Sequence, residues 1–183
     1  INRALTSVNL LNNDLGEDGL AYISAAWEQS TTLKSVCGIA AGATTADLAS
    51  QRLGAADARI IALELRFNRA LKSANLGKNS IGDEGTAALS EALKSNSTLG
   101  ELELSVNVIG AAGAQSLAHM LQFNRAWTSV NLLKNKLGDG VAAVVAAAKQ
   151  NGNIKTLCGI EEGKTQANFS SNCLLYTSDA ADE

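Results

Sequence analysis

Residues 71–85 read Leu-Lys-Ser-Ala-Asn-Leu-Gly-Lys-Asn-Ser-Ile-Gly-Asp-Glu-Gly. Their skeleton is Leu71, Ala74, Leu76, Asn79, Ile81, Gly82 and Gly85, and it returns in the same spacing as Leu99, Leu102, Leu104, Asn107, Ile109, Gly110 and Gly113. It returns again as Trp127, Val130, Leu132, Asn135, Leu137 and Gly138. The step from Leu71 to Leu99 equals the step from Leu99 to Trp127. Upstream the skeleton stands as Leu5, Val8, Leu10, Asn13, Leu15, Gly16 and Gly19. Self-similarity at a fixed period of this length is the signature of a solenoid, in which each coil buries its apolar face on its neighbours.

Each recurring residue has a physical reason to recur. Val8/Leu10, Ala74/Leu76, Leu102/Leu104 and Val130/Leu132 alternate with polar residues, which predicts short strands with one buried face. The strands fall near 7–10, 34–37, 46–49, 73–76, 101–104, 129–132 and 155–158. Asn13, Asn79, Asn107 and Asn135 follow the strands where the chain turns inward. A buried amide there can pair with backbone groups that a turn leaves open, so these four form an expected structural Asn ladder. Gly16, Gly82, Gly110 and Gly138 mark the strand-to-helix turn. Amphipathic runs then follow, with Ala88, Leu89, Ala92 and Leu93 on one face of the run that ends at Lys94. The runs close near Asn68, Asn96, Asn124 and Asn151, residues suited to a left-handed helix end.

This pattern resembles the leucine-rich repeats of the ribonuclease-inhibitor class, which also occur in NOD-like receptors. The resemblance implies an α/β leucine-rich-repeat solenoid over residues 1–172, a horseshoe arc with parallel strands on its concave side and helices on its convex side. The arc must curve, because strands sit about 4.8 Å apart and packed helices about 8–10 Å apart.

Two stretches break the pattern. Leu33-Lys-Ser-Val-Cys-Gly-Ile39 arrives on schedule, one full period after Leu5, but no helix-like run follows, and the pattern resumes at Ala46 with Gln51 at the Asn position. A helixless coil is inserted there, with either a crossover or a local hairpin as its geometry, since parallel pairing normally needs a crossover of about a dozen residues. Residues 154–172 match residues 33–51 at an offset of 121, and residues 124–133 match 2–11 at an offset of 122. The chain therefore carries a longer repeat above the single coil. The geometry of 39–46 and 160–167 stays open at this level.

Residues 173–183, Cys-Leu-Leu-Tyr-Thr-Ser-Asp-Ala-Ala-Asp-Glu, resemble an in-frame translation of a sequencing-library transposon adapter and are set apart from the fold. Without Asp179, Asp182 and Glu183 the acidic count falls from 18 to 15, equal to the count of Lys and Arg. No basic block points to nucleic acid, and no apolar run is long enough to span a membrane. Cys37 and Cys158 lie in no metal-ligand spacing and read as small half-buried residues, which favours a reducing, cytoplasmic setting.

The sequence offers no catalytic, cofactor or metal constellation. His119 aligns with Glu91 on an outward helix face, and Trp27 aligns with core Leu93. The glycosylation-type triplets at Asn96 and Asn168 carry little without a signal segment. What remains is a surface. Ser7, Asn9, Lys72, Ser73, Asn75, Glu101, Glu103, Ser129 and Asn131 line the expected concave face, with Lys78, Lys134 and Ser105 beside them. Solenoids use such faces to bind. The expected function is a protein-interaction scaffold, or a sensor or regulatory segment of a larger protein, with a protein partner and no nucleic-acid, membrane or small-molecule ligand. The resemblance leaves two alternatives, a GTPase-activating protein of the leucine-rich-repeat type and a structural spacer.

Overall fold

The computed structural model describes residues 4–158 and the backbone of 160–161. Residues 173–183 and most of the second break lie outside that range. Strands β1 (Thr45–Asp47), β2 (Ser73–Asn75), β3 (Glu101–Glu103), β4 (Ser129–Asn131) and β5 (Thr156–Leu157) lie side by side in chain order, all parallel. Helices α1 (Gly16–Glu28), α2 (Ala55–Phe67), α3 (Gly82–Lys94), α4 (Ala111–Leu121) and α5 (Gly140–Asn151) alternate with them. The register steps by one sequence period per strand, Ser73 opposite Glu101 and Glu101 opposite Ser129. The strands occupy one side and the helices the other, giving the curved leucine-rich-repeat solenoid that the periodicity predicts. Among the described residues no helix is long and apolar enough to cross a membrane.

The core is the recurring skeleton. Leu71, Leu99 and Trp127 are buried at one level, Leu76, Leu104 and Leu132 at the next, and Leu89 with Leu117 close it from the helix side. Each such side chain contributes roughly 1.5–3 kcal/mol when fully buried. Val8 and Leu10 pack on this core only partly buried. Trp27 is buried as expected and stacks on Phe67, with ring centroids 5.1 Å apart.

Polar side chains tie the coils together at both ends of the strands. At the strand-to-helix turn, Asn107 Nδ2 donates to Leu76 O of the preceding coil at 2.8 Å and to Leu104 O of its own at 3.2 Å, while its Oδ1 accepts from Ile81 N–H. Asn79 and Asn135 repeat the arrangement, reaching Leu48 O and Leu104 O at 2.9 Å. Asn13 differs. It is exposed and donates only to Leu10 O and Leu11 O of its own coil.

The helix-end asparagines form a second series of bonds, and here the sequence expectation needs correction. None of Asn68, Asn96, Asn124 and Asn151 has a positive φ. Asn96 Nδ2 instead donates to Leu65 O and Asn151 Nδ2 to Leu121 O, each in the preceding coil, at 2.7 and 2.6 Å. Asn96 Oδ1 accepts from Thr98 and Leu99 N–H, which turns the chain into the next strand. A side chain that satisfies several buried backbone groups at once outweighs the tolerance for a left-handed cap.

Two carboxylates of α2 reach across the break at 33–43, Glu64 to the strip itself and Asp57 to the coil before it. The expected strands at 7–10 and 34–37 are reduced to isolated bridges, Ser7 with Ser35 and Asn9 with Cys37, the second antiparallel. The chain at 35–37 turns inward, and Ser35, Val36 and Cys37 are buried. Glu64, itself fully buried, accepts from Val36 N–H at 2.8 Å, Cys37 N–H at 3.2 Å and Ser35 Oγ at 3.0 Å, and from Asn68 Nδ2 on its other oxygen. Asp57, two helical turns earlier on α2, accepts from Asn12 N–H and Gly54 N–H. The coil after a missing helix thus carries Asp57 and Glu64 where the next two coils carry Gly85/Ala92 and Gly113/Met120. The chain between the inward strip and β1 is a turn in which Ala43 N–H donates to Ala40 O. At the second break the chain solves the same problem differently, since β6 (Ile160–Glu161) folds back antiparallel on β5 as a hairpin.

Candidate protein-binding surface

The parallel register sets the outward strand residues in two rows. One runs Thr45, Ser73, Glu101, Ser129, Thr156, and the other runs Asp47, Asn75, Glu103, Asn131. Neighbours within a row stand on strands about 4.8 Å apart. The residues between the rows, Ala46, Ala74, Leu102, Val130 and Leu157, pack on the core, three of them fully buried. Lys72 is exposed just ahead of β2. Thr45, Asp47 and Thr156 were not singled out from the sequence. Their signal was there, because Thr45 and Asp47 stand one period before Ser73 and Asn75.

The second row is partly committed to the fold. Asp47, Asn75 and Asn131 each accept the N–H two residues ahead through Oδ1, at 3.1, 3.0 and 3.0 Å, and Glu103 does so through Oε1 at 2.7 Å. These bonds turn the chain out of each strand. Glu103 Oε2 also accepts from Asn131 Nδ2 at 2.6 Å, and Thr156 donates to Ser129 Oγ at 2.6 Å. Glu101 and Lys72 are exposed charges of this face, flanked by the half-buried Ser73, and Asp47 is a third at the start of the second row. Ser7 and Asn9 do not extend the rows by sheet pairing. Their bridge partners Ser35 and Cys37 turn inward, and Asn9 accepts from Leu11 N–H in the local manner of the other row.

Other side chains weighed for chemistry find structural settings. Cys37 and Cys158 are both fully buried, not half-buried as expected, because the chain turns both of them inward. Burial pushes the Cys37 thiol well above its ordinary pKa, and the charge and hydrogen bonding of Glu64 push it further. That is the opposite of an activated nucleophile. His119 is exposed on α4 and meets Phe123 edge-on at 5.2 Å. Asn96 spends its amide inside the helix-end series and is only 2% exposed, so its glycosylation-type triplet is not presented. The triplet at Asn168 lies outside the described residues.

Comparison with known proteins bears on the fold. Residues 67–90 and 95–118 match the family model described as leucine-rich repeat. Among solved structures, one titled leiomodin-1 actin-binding site 2 is 24% identical, covers 82% of this chain and 82% of its own, and superposes with a TM-score of 0.49. The tropomodulin C-terminal domain of Caenorhabditis elegans is 15% identical, with 82% of this chain and 86% of that one covered, again at a TM-score of 0.49. No curated protein matches the sequence at a significant level.

Proposed function

We propose that this leucine-rich-repeat chain is a protein-interaction module whose partner lies against the concave face. The observation that carries the reading is the pair of in-register polar rows on β1–β5, a stack of side chains at one spacing on a rigid sheet. A surface of this kind recognises an extended or folded protein by many polar contacts, with Glu101, Lys72 and Ser73 free to reorient on binding. The length of a full coil, from Leu71 to Leu99, supports placing the chain in the ribonuclease-inhibitor class. The buried, free thiol of Cys37 supports a reducing compartment such as the cytoplasm.

The test is charge reversal with a matched control. Proteins cross-linked to the parent chain are compared with those cross-linked to Glu101→Lys with Lys72→Glu, and to Lys149→Glu on the convex side. A partner lost with the concave pair and kept with Lys149→Glu supports the reading. Capture that survives both changes, or no capture by the parent, favours a structural spacer.

A further inference from the structure

The loops that lead from the strands to the helices form a rim beside the concave face, and this rim has its own chemistry. Ser50, Lys78, Val106 and Lys134 stand in line there, joined by Ser50 N–H to Gly77 O, Lys78 N–H to Ser105 O and Val106 N–H to Leu133 O, all 2.8–3.0 Å. All four have left-handed backbone, with φ of 59°, 57°, 55° and 57°. A β-branched residue is a true outlier in that region. Yet the chain puts Val there, and again two residues on at Val108, where φ is 59°. Both valines are presented to solvent, Val106 at 37% and Val108 at 62% exposure.

The strain at Val108 has a visible cause. Gly82 N–H donates to Asn107 O, and Gly82 itself takes the left-handed turn at φ 62°. Gly110 N–H donates instead to Asp83 Oδ1 at 2.6 Å, as does Gly113 N–H at 2.9 Å. Held by that carboxylate, Gly110 is extended at φ −101°, and the left-handed residue moves back to Val108. Arg52 and Gly54 show the same displacement, with Asp57 accepting from Gly54 N–H. Asp83 therefore fixes Val108 in an outward, unfavourable conformation. Strain held in place by surrounding structure clusters at sites of function.

Cations border the valines. Lys78 lies one coil before Val106 and Lys134 one coil after, and Lys136 N–H donates to Ile109 O beside Val108. Lys78, Lys134 and Lys136 are exposed, and none has a carboxylate partner among the described residues. An apolar point between unpaired cations is complementary to a protein segment in which an apolar side chain stands between carboxylates. We infer that the Val106–Val108 rim binds such an acidic, apolar segment of a protein partner. The site stands on residues outside the concave rows, so it can hold or fail apart from the concave reading.

The probe is a short fluorescein-labelled peptide in which Leu alternates with Asp, compared with the same peptide carrying Ser for Leu. Fluorescence anisotropy should show binding of the leucine peptide and much weaker binding of the serine peptide. Asn tolerates left-handed backbone, so Val106→Asn with Val108→Asn removes the apolar point while relieving strain. That variant should melt at or above the parent temperature and bind the leucine peptide at least about tenfold more weakly, the scale of an interface anchor. Lys134→Glu with Lys136→Glu should weaken it similarly, while Glu101→Lys should not. No binding by the parent, equal binding of both peptides, or an affinity unchanged in the asparagine variant would overturn the proposal.

Discussion

A single asparagine shows how much one side chain does in this molecule. Asn107 is fully buried, and its amide spans two coils through Leu76 O, Leu104 O and Ile81 N–H. Replacing it with Leu leaves Ile81 N–H unpaired in the core and takes one of two amide donors from each of Leu76 O and Leu104 O, which keep Asn79 and Asn135. Asn107→Leu should therefore cost about 1–3 kcal/mol, read by chemical denaturation. A variant as stable as the parent would mean that the bonds are incidental. This residue was legible in the sequence, because an Asn recurring after each strand has few other physical explanations. The helix-end asparagines were legible as recurring but not in role. Sequence offers a local use for Asn at a helix end, whereas the Nδ2 partners of Asn96 are Leu65 O and Asn68 O, a full coil away along the chain. Glu64 was passed over, since a Glu in a helix reads as surface. The signal was comparative within the chain, a charge at a position where the next coils carry Ala92 and Met120.

At the scale of the element, glycines control how closely one helix sits on the next. A Cβ on Gly140 would stand 2.5 Å from Ala114 Cβ and 2.8 Å from Ala111 O, so α5 could pack on α4 only by moving away. Backbone cannot yield as a side-chain tip can. Gly140→Ala should lower stability by about 1–3 kcal/mol, as overpacking does. Gly54 is the contrast. It begins α2 with extended backbone at φ −106°, and a Cβ there would meet nothing within 4 Å. Gly54→Ser should leave stability unchanged or raise it by a few tenths of a kcal/mol, because Ser is a good residue at a helix start. Melting curves of the two variants side by side test whether glycine here serves close approach or chain freedom. The regular helices and strands were placed within a few residues from periodicity alone. The breaks were located but not shaped, since 33–39 and 154–160 are nearly the same sequence and yet one is held by Glu64 and the other leads into a hairpin. What separates them is the neighbouring coil, which local sequence does not contain.

Across the whole molecule, polar side chains hold coils in register where strand pairing and helix packing give out. Val8, Leu10 and Trp27 belong to a coil that reaches α2 past a strip without a helix, and the strip is pinned by one carboxylate. The proposed binding along the concave face requires that this stack be continuous, so that Ser7 and Asn9 keep a fixed relation to β1. Hydrogen exchange of backbone amides in Glu64→Ala, compared with the parent and with Glu64→Gln, is the most direct measurement. Loss of a buried charged acceptor costs roughly 1.5–3 kcal/mol, so Val36 and Cys37 amides should exchange at least about tenfold faster in Glu64→Ala. Glu64→Gln, which keeps an acceptor, should fall between the two. Leu53 and Ile109, whose amides donate to Asn79 and Asn135, should keep their protection in all three proteins. Unchanged exchange at Val36 and Cys37, or a uniform loss of protection through Ile109, would contradict the account.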